Sequence, residues 1–152
     1  MISRAPTPGT PTPGKPVPVT IAHDQDALLV SSDPQLAANK RLVFDWWREV
    51  LAAAHVELAD SYMHADYIQH NPNIATGRDG FVQFFSTRPR QEISPTIANL
   101  VTIVAEGDLV VFSFRRLLPD PQDSTKQYTS TWFDMMRVKD GKIAEHWDYG
   151  TR

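Results

Sequence analysis

The dipeptide Asp140-Gly141 constrains the fold of this chain more than any other short stretch. It separates Gln127 to Lys139, a run rich in Thr, Trp and Phe, from Lys142 to Tyr149, a second run of β-forming residues. Asp-Gly between two such runs is a strong hairpin signal, because both residues accept the left-handed backbone that a tight turn needs. Two further strands are expected upstream, Thr96 to Ala105 and Leu109 to Leu118, joined by the turn Glu106-Gly107-Asp108. The polar stretch Pro119 to Thr125 reads as a loop. Short turns between successive strands give an antiparallel sheet.

The first half of the chain has a different period. Asp33-Pro34 is a helix start, with Asp able to cap free amides and Pro tolerated in the first turn. Leu36, Val43, Trp47, Val50 and Ala54 then fall on one stripe, which predicts a helix over Pro34 to Ala54. A shorter helix is expected from Val56 to His64, with Leu58, Ala59 and Tyr62 inward. Asp66 to Asn71 reads as a strand closed by Pro72. Gly77 to Thr87 reads as a third helix carrying Phe81, Phe84 and Phe85, and Pro89 stops it. Helices first and strands afterwards predict an α+β domain.

A length of 152 residues favours one domain and suffices for a core. Six of the twelve prolines lie in the first 18 residues. Residues 1–20 therefore read as a disordered proline-rich arm, 21–33 as an extended lead-in, and 34–152 as the folded domain. The arm is compatible with a native tail and with the start of a mature exported chain, so cytoplasm and periplasm both stay open.

Several function classes are disfavoured. A net charge of −3 argues against a nucleic-acid partner. No run approaches the ~20 apolar residues of a membrane span. The absence of cysteine removes disulfides, thiol nucleophiles and thiolate metal sites. No H-x-H, H-E-x-x-H, G-x-S-x-G or glycine-rich phosphate loop occurs, so neither a metal nor a cofactor is expected. Arg115-Arg116 reads as a strand edge meeting solvent.

The last hairpin carries the candidate chemistry. His146 and Asp148 are two residues apart on a strand and share a face, about 7 Å apart. A two-residue turn would pair Met135 with His146. A three-residue turn with Gly141 left-handed would pair Asp134 with His146 and Trp132 with Asp148, bringing two carboxylates and an imidazole together. A partly desolvated carboxylate moves protons near neutral pH, and an imidazole orients or shares the charge. The plainer alternative is a solvated sheet face with a surface ion pair. Trp132, Met135, Met136 and Trp147 make both faces apolar, which favours a pocket. His70-Asn71-Pro72 is a second cluster, readable as a pocket mouth or as a locally capped turn.

Three patterns in order carry a resemblance: Asp66-Tyr67-Ile68-Gln69-His70-Asn71-Pro72, Gly77-Arg78-Asp79-Gly80-Phe81, and Phe133-Asp134-Met135-Met136-Arg137-Val138 running on to Glu145-His146-Trp147-Asp148. Over Leu36 to Tyr149 the chain resembles the SnoaL-like polyketide cyclase branch of the NTF2-like superfamily, with its ketosteroid-isomerase-like fold. The resemblance implies a cone of three N-terminal helices packed on a strongly curved, mostly antiparallel sheet around one pocket. It implies lyase or isomerase chemistry without a cofactor, such as intramolecular aldol condensation. The cyclase acid/base aspartate falls on Asp148, and a pocket histidine of those enzymes falls on Asp134. By comparison with ketosteroid isomerases, the oxyanion-hole aspartic acid falls on Asp134, the general base on Asn71 and the oxyanion-hole tyrosine on Trp47. Asn71 cannot take a proton at neutral pH, which argues against isomerisation through that base. The same alignments favour the three-residue hairpin turn.

The resulting expectation is an acid/base enzyme for a small or medium, hydrophobic, enolisable carbonyl compound. Asp148, Asp134 and His146 are the candidate catalytic groups. His70, Asn71, Trp47, Trp132 and Tyr62 are the candidate substrate-binding groups. The alternatives are a binding or dimerisation module without chemistry, and an epoxide hydrolase. The latter needs a second carboxylate partnered by Arg or Asn, and strand alternation turns Arg137 to the opposite face. The resemblance also implies a homodimer through the open sheet face, with Phe114, Trp132 and Phe133 placed there or in the core.

Overall fold

A computed structural model describes residues 16–151. Most of the expected proline-rich arm, residues 1–15, lies outside the described residues. Helix α1 spans Pro34–Trp46, and the Asp33 carboxylate accepts from the Gln35 and Leu36 amides at 2.8 and 3.3 Å. Those bonds satisfy N–H groups that have no partner within the helix. The helix continues as a π-helical segment, Trp47–Ala52, and ends where Ala54 takes φ 58°. Val43, Val50 and Ala54 of the expected stripe are buried on either side of this change in winding, and Trp47 packs against the core. Trp46, not Trp47, is the fully buried indole.

A 3₁₀ turn, Val56–Leu58, leads into the one-turn helix α2, Ala59–Tyr62. Strand β1 then starts at Met63 and runs to Gln69, three residues earlier than expected. Helix α3 is Arg78–Phe85, entered through Gly77 at φ 88°. Phe81 and Phe85 are buried, while Phe84 is exposed.

Strands β2 (Leu100–Glu106), β3 (Leu109–Pro119), β4 (Gln127–Lys139) and β5 (Lys142–Trp147) complete a five-stranded sheet. Its order is β1-β5-β4-β3-β2, with β1 parallel to β5 and the other pairs antiparallel. The helices pack on one face of this curved, open sheet, in an α+β arrangement. Strand β2 begins at Leu100, not Thr96. Asn99 is left-handed at φ 60°, and the Ile97 amide donates to Gln25 Oε1 at 2.8 Å instead of to a strand. The lead-in holds a 3₁₀ turn, Asp26–Leu29, that buries Leu28 and Leu29. Ala22 N donates to Leu100 O at 2.8 Å, tying this segment to β2.

The final hairpin corrects both expected registers. Asp140 and Gly141 sit at φ 49° and 71°, a two-residue turn that sets Lys139 opposite Lys142 and Val138 opposite Ile143. The next pair is Arg137 with Glu145, which leaves Ala144 as an extra residue in β5. This β-bulge shifts the phase by one. Met136 therefore stands opposite His146, where an unbroken ladder would have placed Met135. The bulge, not a longer turn, puts His146 on the inner face with Met136, Asp134 and Trp132. The three-residue turn favoured by the resemblance is absent.

Candidate functional site

The inner face of the sheet, α1 with its π-helical extension, and α3 enclose a cavity of about 370 Å³. Its walls are mainly apolar: Trp46, Trp47, Leu51, Ile74, Phe81, Phe84, Phe85 and Trp132. Polar groups come from β1 and the turn after it (Gln69, Asn71, Asn73) and from the last hairpin (Asp134, His146, Asp148).

Asp134 and His146 are 2% and 4% exposed, and His146 Nε2 lies 2.8 Å from Asp134 Oδ1. Trp132 Nε1 donates to the other oxygen, Asp134 Oδ2. The second imidazole nitrogen, Nδ1, lies 3.0 Å from Gln69 Oε1. That oxygen also accepts the Asn71 backbone N–H at 3.0 Å, while Gln69 Nε2 donates to the Tyr67 hydroxyl at 3.0 Å. A backbone N–H can only donate, so it fixes the orientation of the Gln69 amide. His146 Nδ1 must then carry a proton and donate to Gln69. Nε2 either accepts from a protonated Asp134 or donates to an ionised one. In both cases one proton lies between the two side chains, and the pair is electrically neutral. Burial pushes the Asp134 carboxyl above its ordinary pKa; the bond to His146 opposes that shift, and the nearby Asp148 charge adds to it.

Asp148 follows β5 directly and is partly buried. Both its oxygens accept from Asn71 Nδ2, at 3.0 and 2.8 Å. Asn71 is held in turn by its own Oδ1, which accepts from Asn73 N at 2.9 Å. Asn73 Nδ2 donates to Thr151 O at 3.0 Å, so the chain end lies against this turn. Gly150 permits the contact: a Cβ there would meet Asn71 Nδ2 at 2.7 Å and Pro72 Cδ at 2.8 Å.

Six of the eight expected site residues line the cavity: Asp134, His146, Asp148, Asn71, Trp47 and Trp132. His70 and Tyr62 do not. His70 faces the outer side of the sheet, where Nε2 meets Glu145 Oε1 at 2.8 Å and the ring stacks on Trp147 at 5.1 Å. Adjacent strand residues point to opposite faces, so Asn71 and His70 cannot both look inward. Glu145 also accepts from Arg137 Nε at 3.0 Å, and the His70 bond, then Arg137, holds its carboxyl below the usual range. Arg137 lies on the outer face, as alternation requires. The Tyr62 hydroxyl donates to Glu49 Oε2 at 2.7 Å, and burial with that neighbour raises its pKa.

Gln69 and Trp46 were missed. Gln69 was legible from alternation, since Tyr67, Gln69 and Asn71 share a face. Trp46 was legible from helical spacing, three residues after Val43 and four before Val50. It is fully buried beside His146, with ring centroids 6.4 Å apart, and its Nε1 has no hydrogen-bond partner among the described residues.

Donor atoms of Asp134, His146 and Asp148 lie within 4.8 Å of one another, close enough to share a divalent cation. They are already bonded to each other or to N–H groups of Trp132, Asn71 and the His146 ring. A cation would have to displace those donors.

The SnoaL-like domain profile matches residues 43–146. No curated protein sequence matches the chain significantly. Among solved structures, it is similar to a protein assigned as a SnoaL-like polyketide cyclase from Jannaschia sp. CCS1, at 15% identity over 79% of this chain and 90% of that one, with a TM-score of 0.55. A protein assigned as a polyketide cyclase from Acidithiobacillus ferrooxidans shares 17% identity over 79% and 90%, with a TM-score of 0.53. An LEH-like epoxide hydrolase from M. tuberculosis shares 15% identity over 79% and 83%, also with a TM-score of 0.53. At these identities the likeness is one of fold. The profile covers most of the sequence and the α+β architecture agrees with it: the chain belongs to the SnoaL-like domain family of the NTF2-like superfamily.

Proposed function

We propose that this protein is a cofactor-independent acid/base catalyst for a small or medium enolisable carbonyl compound, in the aldol-cyclisation or isomerisation class. One observation carries the reading: a neutral Asp134–His146 pair holding one proton, and a separate carboxylate, Asp148, face the same apolar cavity. The division of labour follows from the charges. Asp148 takes a proton from the carbon beside the substrate carbonyl, and the C–H electrons pass into an enolate. The Asp134–His146 pair donates its proton, or a hydrogen bond, to the enolate oxygen. In an aldol closure the enolate carbon then bonds to a second carbonyl carbon, whose oxygen takes up a proton. Donors fixed in place before the reaction stabilise such an oxyanion without reorganisation. A carboxylic acid kept neutral by an apolar site is a known form of such a donor. The aromatic walls, Trp46 among them, exclude water.

The test uses 2-tetralone, a flat enolisable ketone, in D₂O. Proton–deuterium exchange at its α-carbon is followed by NMR with wild-type protein and with Asp148→Asn. A loss on the order of 10²–10⁴-fold, with an unchanged thermal melt, is expected for a general base. Equal exchange by both proteins overturns the reading. Binding of the ketone without exchange by either favours a non-catalytic ligand-binding module.

A second reading, epoxide hydrolysis, is favoured by the Asn71–Asp148 contact. That pair is the amide-held carboxylate such a reaction needs to orient a water, and the Asp134–His146 pair would protonate the opening epoxide oxygen. Diol formation from styrene oxide, absent in Asp148→Asn, separates it from enolisation.

Self-association through the outer sheet face is a related proposal. Of the three aromatics considered for it, Phe114 is buried, Trp132 lines the cavity, and Phe133 is 56% exposed. Val104 on β2 is 53% exposed on the same face, and Val111 and Met135 lie between them.

A further inference from the structure

We propose that Arg116 and the hollow around it form a subsite for an anionic group on the substrate, a carboxylate or a phosphate. The proposal rests on the acid/base reading only in taking the adjoining cavity as the reaction site.

Arg116 is unlike its neighbours. Each of the other arginines among the described residues donates to a carboxylate or a carbonyl: Arg41 and Arg48 to Asp26 and Asp45, Arg78 and Arg88 to backbone oxygens, Arg90 to Glu57, Arg115 to Asn99, Arg137 to Asp108 and Glu145. The side chain of Arg116 alone among them makes no hydrogen bond or ion pair within the described residues. It is nevertheless partly buried and held in place: its guanidinium carbon lies 5.2 Å from the Trp132 ring centroid. Stacking on an indole fixes the guanidinium and leaves its in-plane N–H fork unspent, the geometry that takes a carboxylate or phosphate through two bonds.

The surroundings fit an anion. Arg116 pairs with Ser130 across β3 and β4, with Trp132 one step along the same face. Strand β5 ends at Trp147, opposite Met135, so β4 has no strand beside it from Thr131 to Phe133 on that edge. A hollow of about 410 Å³ opens there, lined by Arg116 on β3, Ser130 to Phe133 on β4, and Asp148 and Tyr149 after β5. The hydroxyls of Ser130, on the same face as Arg116, and of Tyr149 supply further donors. Trp132 and Asp148 belong to both this hollow and the reaction cavity, so the two spaces share a wall. Asp148 does not neutralise Arg116: it forms no ion pair with it, and both its oxygens accept from Asn71.

The substrate class follows. It is an apolar body with an enolisable carbonyl, seated among the aromatic residues, and an acid group that reaches past Trp132 to Arg116. In a chain of net charge −3, an unpaired cation at the mouth also draws an anion in against the overall field.

Four-oxo-4-phenylbutanoate, its methyl ester and 2-oxo-2-phenylethyl phosphate test this. Binding to the full chain is followed by tryptophan fluorescence and by the shift of the Trp132 indole N–H in NMR spectra. The wild type is expected to bind at least one anion about tenfold more tightly than the ester, a preference of roughly 1.4 kcal/mol. Arg116→Gln is expected to abolish the preference and leave ester binding unchanged, and Arg116→Lys to restore part of it. The tighter of the two anions identifies the group. Equal binding of anions and ester by the wild type overturns the subsite, as does a loss of all three ligands alike in Arg116→Gln. If anions bind through Arg116 but show no α-proton exchange, the subsite stands and the acid/base reading falls.

Discussion

Asn71 Nδ2 donates to both oxygens of Asp148, at 3.0 and 2.8 Å. One neutral amide thus aims the candidate base without adding charge to the cavity. Asn71→Ala frees the carboxylate to turn, and misplacement of about 1 Å can cost roughly 10²-fold in rate. Asn71→Asp sets a second carboxylate against the first, which raises the pKa of one of the two. The expected outcome in the exchange assay is a slower rate for both variants. Only Asn71→Asp should move the pH profile upward.

Gln69 is a positioning residue, acting through His146. Gln69→Leu removes the acceptor for His146 Nδ1–H, and the ring becomes free to carry its proton on either nitrogen. Nitrogen-15 chemical shifts of His146 should report one tautomer in the wild type and a mixture in the variant. Gln69→Glu should instead stabilise the imidazolium and shift the pH profile of exchange to higher pH.

Asp134 gives a stability prediction with a definite sign. Burial raises its pKa in the folded protein above the ordinary 3.8. At pH values above 3.8 the native state therefore binds more protons at this group than the unfolded chain does, and its contribution falls as pH rises. That contribution is fully present below the unfolded pKa and is lost as pH climbs through the folded one. Urea melts of wild type and Asp134→Asn across this window should show the wild type losing stability relative to the variant as pH increases.

Gly150→Ala tests the closure of the chain end over the Asn71-Pro72 turn. The added methyl has no room, at 2.7 Å from Asn71 Nδ2 and 2.8 Å from Pro72 Cδ. The tail should move away and take Asp148 with it. Exchange activity is expected to fall about tenfold or more while the thermal melt changes little, because the contact lies outside the core.

Phe133→Glu tests self-association. Sedimentation velocity should show a dimer for the wild type and a monomer for the variant, with an unchanged thermal melt. A monomeric wild type at tens of micromolar would remove this proposal.

Much of the fold was written in local chemistry. Strand β4 has the expected bounds because Asp140-Gly141 and the loop before Gln127 punctuate it on both sides. Asp134 and Asp148 were placed by resemblance, and they do meet in one cavity. Three features depart from the reading of the sequence, the second of which alternation alone would have corrected. A π-helical segment carries no compositional mark, so Trp47–Ala52 reads as plain α-helix in the sequence. His70 was grouped with Asn71 by adjacency in sequence, whereas a strand sends such neighbours apart. Ala144 gives no sign that it leaves the ladder, because alanine fits a regular strand as well as a bulge.

That unpaired alanine has a consequence for comparing this chain with others. A relative with one residue fewer between its turn and its histidine, and no bulge, would present the same inner face. A relative with the same spacing and an unbroken ladder would turn its histidine outward and bring in the glutamate and tryptophan that here carry the outer contacts. Matching letters at Asp134, His146 and Asp148 are therefore not enough to transfer the site. What must be matched is the count of paired residues from the turn, a property of the ladder and not of the alphabet.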